Sequence, residues 1–173
     1  MLDTTANAEV QMLLDTFGVA LERGDIAAAT DCFQDDCYWR DLVTFTWNIH
    51  TSEGKGQITA MLAARLAAAK PTGWKIAEGE TATKDSGGIT AWIEFETGVA
   101  QGYGLIRLKA GKIWTLLTTM VELKGHEEHK GFTRPLAAHA ACVVDQDIDP
   151  ACGGGDLLWP RGAETQSSPD PGR

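Results

Sequence analysis

An acidic residue, Asp41, interrupts an apolar pattern between Cys37 and Ile49 and is the best candidate for chemistry in the chain. If this segment is one strand, its side chains alternate between two faces, and Asp41 lies among aromatic residues. A carboxylate that loses water in such surroundings favours its neutral form and can exchange protons near neutral pH. We therefore predict that Asp41 is a catalytic residue. The same face of the strand carries Cys37, Trp39, Val43, Phe45, Trp47 and Ile49.

A structural role for Asp41 is the alternative. Buried aspartates commonly accept hydrogen bonds from backbone amides, and a bulge at this position would turn the side chain into solvent. An acid/base reaction also needs a second group within hydrogen-bonding reach. His50, Tyr103 and Glu122 are candidates, but His50 falls on the opposite face of a continuous strand. The sequence does not identify the second half of a catalytic pair.

The chain has 173 residues and a formal net charge of -9 at pH 7. This length fits one domain with a sizeable core. The negative charge argues against binding to nucleic acid or to an anionic membrane surface, since both favour clustered lysine and arginine. No basic region precedes the apolar positions at the N-terminus, and no stretch reaches the length of a membrane span. We expect a soluble, cytoplasmic protein.

Cysteine and histidine spacing predicts neither a disulfide nor a metal site. The cysteines form no CxxC pair, and in a chain without an export signal they are expected to be reduced structural thiols. His126 and His129 flank two glutamates, but they are three residues apart, whereas the helical zinc motif places its histidines four apart. The cysteines are Cys32, Cys37, Cys142 and Cys152.

Three helices are predicted in the first half of the chain. The first ends near Gly24, and Asp25 begins a short second helix that extends to about Phe33. Pro71 and Gly73 end the third helix. Residues at helical spacing form one face of the first and third helices. These are Val10, Leu13, Leu14, Phe17 and Leu21 in the first, and Ile58, Met61, Leu62, Arg65 and Leu66 in the third.

After Trp74 the hydrophobic period changes from that of a helix to that of a strand. Apolar and polar residues alternate over residues 89–96, which predicts a strand with one apolar face. A further strand covers residues 99–108. The Ala110-Gly111 turn then leads into residues 113–123, and an antiparallel hairpin is the simplest pairing.

The last predicted strand is apolar on both faces, which predicts that both of its faces are covered. The helices of one chain can cover only one side of a curved sheet. We predict a symmetric homodimer formed sheet against sheet. The alternative is that the C-terminal segment folds over the second face. The two predicted faces are Trp114, Leu116 and Met120 on one side and Ile113, Leu117 and Val121 on the other.

The order helix, helix, strand, helix and then long antiparallel strands resembles the nuclear transport factor two superfamily, which includes the SnoaL-like proteins. The resemblance implies an α+β fold in which a cone-shaped, curved antiparallel sheet wraps around three N-terminal helices. It also implies a pocket at the wide end of the cone.

Longer phrases resemble the N-terminal domain of a group of flavin-dependent monooxygenases. They are CYWRDLVTFTWNIHTSEGKGQITAML, FETGVAQGYGLIRLKAGKIWTLLTTMVELKGHEE and GFTRPLAAH. In that group a dinucleotide-binding domain follows. Here the glycines of residues 153–155 are not placed between a strand and a phosphate-binding helix. We therefore expect no flavin or nicotinamide cofactor. The predicted division is a pocket domain in residues 1–140 and an irregular, partly disordered tail in residues 141–173.

Two functions follow from these patterns. The first is a pocket domain that binds a hydrophobic small molecule without flavin and can act as the partner of a flavoprotein. The second is a cofactor-independent acid/base enzyme of secondary metabolism, a cyclase, dehydratase or isomerase that uses Asp41. Ligand pockets are mostly apolar with few polar groups, although aromatic residues also fill cores. The predicted substrate-binding residues are Trp39, Phe45, Trp47, Trp114 and Met120.

Overall fold

Three helices and seven strands follow one another in residues 4–128, the part of the chain that the computed structural model describes. None of these helices is both long and apolar enough to cross a membrane. The predicted tail of residues 141–173, with Cys142 and Cys152, and the predicted His129 lie outside the described residues. The elements are α1 (Thr4–Glu22), α2 (Ile26–Asp31), β1 (Phe33–Leu42), β2 (Ile49–Glu53), α3 (Gly54–Ala69), β3 (Thr72–Ile76), β4 (Thr83–Asp85), β5 (Gly88–Glu96), β6 (Ala100–Lys109) and β7 (Lys112–Leu123).

The boundary between α1 and α2 lies where the sequence predicts it. Gly24 has a φ of 72°, a left-handed conformation that glycine adopts at low cost after a helix. The Asp25 side chain accepts a hydrogen bond of 3.0 Å from the Ala28 amide and so caps α2. The helix ends at Asp31, and Phe33 is already the first residue of β1. The predicted helix was therefore about two residues too long.

The strands form one curved, unclosed sheet. The helices lie on its inner side. Its order is β2-β1-β7-β6-β5-β3, and β4 also pairs with β5. All the pairs are antiparallel except β1 with β7, which is parallel. The α+β prediction, with a curved sheet around three helices, is confirmed. Because β7 returns to pair with β1, the first strand lies inside the sheet, between β2 and β7.

The predicted single strand from Cys37 to Ile49 is wrong. The strand β1 ends at Leu42, and β2 begins at Ile49, so a hairpin replaces the second half of the predicted strand. The connecting residues 43–48, called the hairpin loop below, contain Val43 with a φ of 63° and Trp47 with a φ of 56°. A strand cannot continue through this left-handed backbone, so the predicted alternation holds only as far as β1.

The predicted faces of the last strand also change. A register shift between Arg107 and Leu108 of β6 marks an irregularity in its pairing with β7. As a result Ile113 and Leu116 are both buried, although the sequence placed them on opposite faces. The alternation predicted for β5 is confirmed. Its buried residues are Ile89, Ala91, Ile93 and Phe95.

Candidate functional site

The Asp41 carboxylate holds the hairpin loop in place. Its Oδ2 accepts hydrogen bonds from the Phe45 amide at 3.0 Å, the Thr46 amide at 2.8 Å and the Thr46 hydroxyl at 2.8 Å. That hydroxyl also lies 2.8 Å from the Asn48 carbonyl, and its one proton serves one acceptor at a time. Asp41 is 1% exposed, so the prediction that it is buried is confirmed.

A second set of contacts ties Asp41 to the centre of the sheet. Its Oδ1 accepts a hydrogen bond of 2.8 Å from the hydroxyl of Thr118, in β7. The Trp39 indole donates to the same Thr118 oxygen at 3.0 Å. The groups that bond the carboxylate are all donors, so both of its oxygens have hydrogen-bond partners. These contacts give Asp41 a clear structural role, and its catalytic role stays a prediction.

Two of the predicted pocket residues lie in a filled core. The rings of Trp39 and Phe45 are 5.1 Å apart, and both side chains are buried. Phe95 lies over Gly102, where an added Cβ would come within 2.4 Å of the Phe95 ring. Aromatic rings therefore occupy the interior of the sheet where the sequence predicted a hollow. The connected rings belong to Phe17, Phe33, Trp39, Phe45, Trp74 and Phe95.

The other three predicted pocket residues lie elsewhere. Trp47 is 59% exposed because the hairpin loop turns it outward. The ring of Trp114 lies under the Lys109 ammonium, 3.1 Å from its centroid. Met120 is half-buried in β7. The five aromatic and methionine side chains thus do not line one cavity.

The hairpin places His50 where the sequence did not. His50 of β2 is the direct partner of Asp41 in the antiparallel pairing, so both side chains lie on the same side of the sheet. A continuous strand had predicted opposite sides, and that prediction was wrong. Tyr103, another predicted partner, stacks on Trp92 with centroids 5.4 Å apart. A turn signal between Leu42 and Ile49 would have identified His50, but this segment contains neither glycine nor proline.

One side of α3 forms an apolar groove with α1 and α2. This apolar groove has a volume of about 650 Å³. Buried leucines and a proline form its floor, and charged residues lie at its rim. The alanines at 63 and 67 in α3 are exposed and leave it open. Its lining residues are Leu21, Glu22, Arg23, Gly24, Ile26, Leu62, Ala63, Leu66, Ala67, Lys70, Pro71 and Thr72.

The opposite side of α3 forms a second, more polar groove with the hairpin loop and β2. This polar groove has a volume of about 450 Å³. It combines amide, imidazole and guanidinium groups with a short apolar wall on α3. Its position next to the loop places it beside the buried Asp41. Its lining residues are Thr46, Asn48, His50, Gln57, Ala60, Met61, Ala64 and Arg65.

The two described cysteines do not offer a nucleophile. Cys32 and Cys37 are free and buried. Burial is the main cause that raises the pKa of each thiol, and the nearby Asp31 raises that of Cys32 further. Reactive cysteines need a lowered pKa and access to solvent. The interpretation of these two residues as structural thiols agrees with their surroundings.

Comparison with known proteins identifies the fold. No protein-family model and no curated protein sequence matches the chain. Among solved structures, a Nostoc punctiforme protein of unknown function with a cystatin-like fold matches with a TM-score of 0.50, at 14% identity over 69% of this chain and 94% of that one. A Bacillus subtilis protein with a provisional isomerase assignment also matches with a TM-score of 0.50, at 12% identity over 70% and 90% of the two chains.

An NTF2-like protein with a cystatin-like fold from Novosphingobium aromaticivorans is a third match, with a TM-score of 0.47 and 14% identity over 68% of this chain and 83% of that one. The described part of the chain has an α+β, cystatin-like fold like that of the Nostoc punctiforme protein. At these identities the likeness establishes the fold alone.

Proposed function

We propose that this chain is a ligand-binding NTF2-like domain that takes a hydrophobic small molecule in the apolar groove. The observation that carries the proposal is the groove's volume of about 650 Å³ together with its leucine-rich floor. Small-molecule sites fall in the range of about 300 to 1,000 Å³ and are mostly apolar with a few polar groups. The filled core leaves the interior of the sheet unsuited to the same task, and Arg23 and Lys70 supply polar contacts at the rim.

The test is a titration of the full chain with N-phenyl-1-naphthylamine, a neutral fluorescent probe of apolar sites. Ala67→Trp fills the apolar groove from an exposed position without removing core atoms. We expect this change to weaken probe binding by about tenfold or more, because the indole occupies the volume that the probe needs. Fluorescence enhancement against probe concentration gives the affinity.

Ala64→Trp is the matched control, because it makes the same change at an exposed position on the opposite side of α3. It should leave probe binding unchanged. Equal weakening by both variants, or no saturable binding to the unmodified chain, would refute the apolar groove as the site.

Acid/base catalysis is a second candidate function, supported by the backbone register that places His50 opposite Asp41 on neighbouring strands. An imidazole opposite a carboxylate is a suitable proton-transfer pair. We propose removal of a proton next to a carbonyl group as the model reaction for the predicted cyclase, dehydratase or isomerase chemistry. We expect deuterium exchange at the α-carbon of cyclohexanone, followed by NMR in D₂O, to exceed the buffer rate and to fall about 100-fold in His50→Gln. Equal rates with and without protein would exclude this candidate.

We also propose a homodimer through the outer face of the sheet. Trp92 is 40% exposed and Val121 is 54% exposed on that face, and Trp92 stacks on the half-buried Tyr103. In a twofold dimer the same surface of each copy contacts the other, so Trp92 and Val121 would be buried in both copies. The relation to flavin monooxygenases and a flavoprotein partner stay predictions of the sequence resemblance.

Light scattering on a sizing column tests the dimer. Val121→Lys should convert a dimer to a monomer, because each interface would then hold two buried lysines. Val19→Lys is the control, since Val19 is 44% exposed on α1 and away from the sheet. A monomeric unmodified chain, or loss of the dimer in both variants, would contradict the proposal.

A further inference from the structure

The polar groove is lined by the cationic Arg65, and the acid next to it, Asp41, is buried and bonded to the hairpin loop and to Thr118. Arg65 and His50 are exposed and line it, and none of its lining residues is aspartate or glutamate. The ion pairs found within residues 4–128 all use lysine, so Arg65 has no carboxylate partner in that range. The chain has a net charge of -9. A guanidinium that lies in a concave site without a carboxylate partner in residues 4–128 is suited to bind an anion from solution.

The remaining walls of the polar groove suit the non-ionic part of such a ligand. Met61 and the alanines at 60 and 64 form an apolar strip along α3. Asn48 and Gln57 add side-chain amides. The volume of about 450 Å³ fits one small organic molecule. The groove thus combines a charged contact, amide donors and an apolar surface.

The hairpin loop gives this groove a fixed shape. Val43 and Trp47 both have positive φ, which costs residues of this type about 1 to 3 kcal/mol each and persists only where other contacts hold it. The Asp41 carboxylate supplies those contacts through Phe45 and Thr46. The side chain of Thr46 therefore reaches the groove on a backbone that is held before any ligand arrives.

We propose that the polar groove binds a small organic oxyanion, an aromatic carboxylate or a phosphate ester. Arg65 is its main charged contact, and His50 and the side-chain amides of the groove supply further hydrogen bonds. The apolar strip of α3 packs against the aromatic part of the ligand. This site is separate from the apolar groove, and the two proposals stand or fall independently.

The test is calorimetric titration of the full chain with benzoate and with phenyl phosphate at low ionic strength. Benzyl alcohol serves as the neutral counterpart of similar size. We expect saturable binding of at least one anion and none of the alcohol, since the guanidinium contact requires negative charge. Arg65→Gln should weaken anion binding by about tenfold or more, because it removes a charge-assisted hydrogen bond. Comparison of the two anions distinguishes a carboxylate site from a phosphate site.

Arg23→Gln is the matched control, because it removes the same charge from an exposed residue at the apolar groove. It should leave anion binding unchanged, and Ala64→Trp should abolish it. If Arg23→Gln and Arg65→Gln weaken anion binding equally, the net charge of the chain and not a contact with Arg65 determines the affinity, and the proposal is overturned. Binding of benzyl alcohol as tight as that of benzoate, or no binding of either anion, would overturn it as well. Loss of anion binding leaves the naphthylamine result unaffected, so failure of one site does not count against the other.

Discussion

The two grooves on either side of α3 are built in different ways. The three helices enclose the apolar groove, and the leucines of its floor are residues that the hydrophobic period of α1 and α3 already places inward. The polar groove depends on a loop of left-handed backbone that Asp41 holds. Neighbouring residues of one helix, Arg65 and Leu66, thus line different grooves. The helix α3 thus borders two separate grooves, because the elements packed on its two sides differ.

Phe45→Ala should have the largest effect on the polar side. Phe45 is 2% exposed and packs between Trp39 and Phe95, so its removal leaves a cavity in the aromatic core. We expect a loss of about 3 to 5 kcal/mol in the free energy of unfolding. Trp47→Ala, two residues further along the same loop, should change it by less than about 0.5 kcal/mol. Chemical denaturation measures both free energies of unfolding. Similar losses in the two variants would contradict a role for Phe45 in filling the aromatic core.

Asp41→Asn should affect the two grooves unequally. The amide keeps one acceptor oxygen and replaces the other by a donor, so either the Thr118 hydroxyl or the amides of Phe45 and Thr46 lose their acceptor. We expect a loss of about 2 to 3 kcal/mol in stability, weaker binding of anions and unchanged binding of the neutral probe. Asp36→Asn, at an exposed position of β1, is the control and should change stability by less than about 0.5 kcal/mol. Equal loss of both ligands would show that the grooves are not independent.

The two grooves also differ in how well the sequence predicts the elements that form them. The stop at Gly24 and the alternation of β5 arise from local signals, and both are confirmed. The turn after Leu42 has no such signal. The loop is held in part through Thr118, which is 77 residues from Asp41 in the chain, and a local pattern does not contain that contact. The apolar alternation through residues 43–49 therefore predicted a strand where the hydrogen bonds of Asp41 to the loop and to Thr118 stabilise a turn.

Gly24 lines the apolar groove, and its replacement tests the backbone conformation at that groove. An alanine there would have to keep a φ of 72°, although no atom lies within 4 Å of the added Cβ. We expect Gly24→Ala to cost about 1 kcal/mol through backbone strain. Gly56→Ala in α3 also meets no atom within 4 Å but has an ordinary helical backbone, and it should stabilise the chain by about 0.5 kcal/mol. Thermal unfolding gives the sign of each change, and effects of the same sign would exclude strain as the cause.

Thr46→Val removes one of the hydrogen bonds to the Asp41 carboxylate and should have the smallest effect on the loop. The substitution keeps the branched shape and both backbone hydrogen bonds of the loop but removes the hydroxyl that lies 2.8 Å from the carboxylate. Because the proton of that hydroxyl is shared with the Asn48 carbonyl, its loss should cost only about 1 kcal/mol of stability. Thr46→Ser retains the hydroxyl and should stay within about 0.5 kcal/mol of the unmodified chain. If the serine variant loses as much as the valine variant, the methyl group of Thr46 stabilises the loop as much as its hydroxyl does, and the polar groove then also depends on packing at this position.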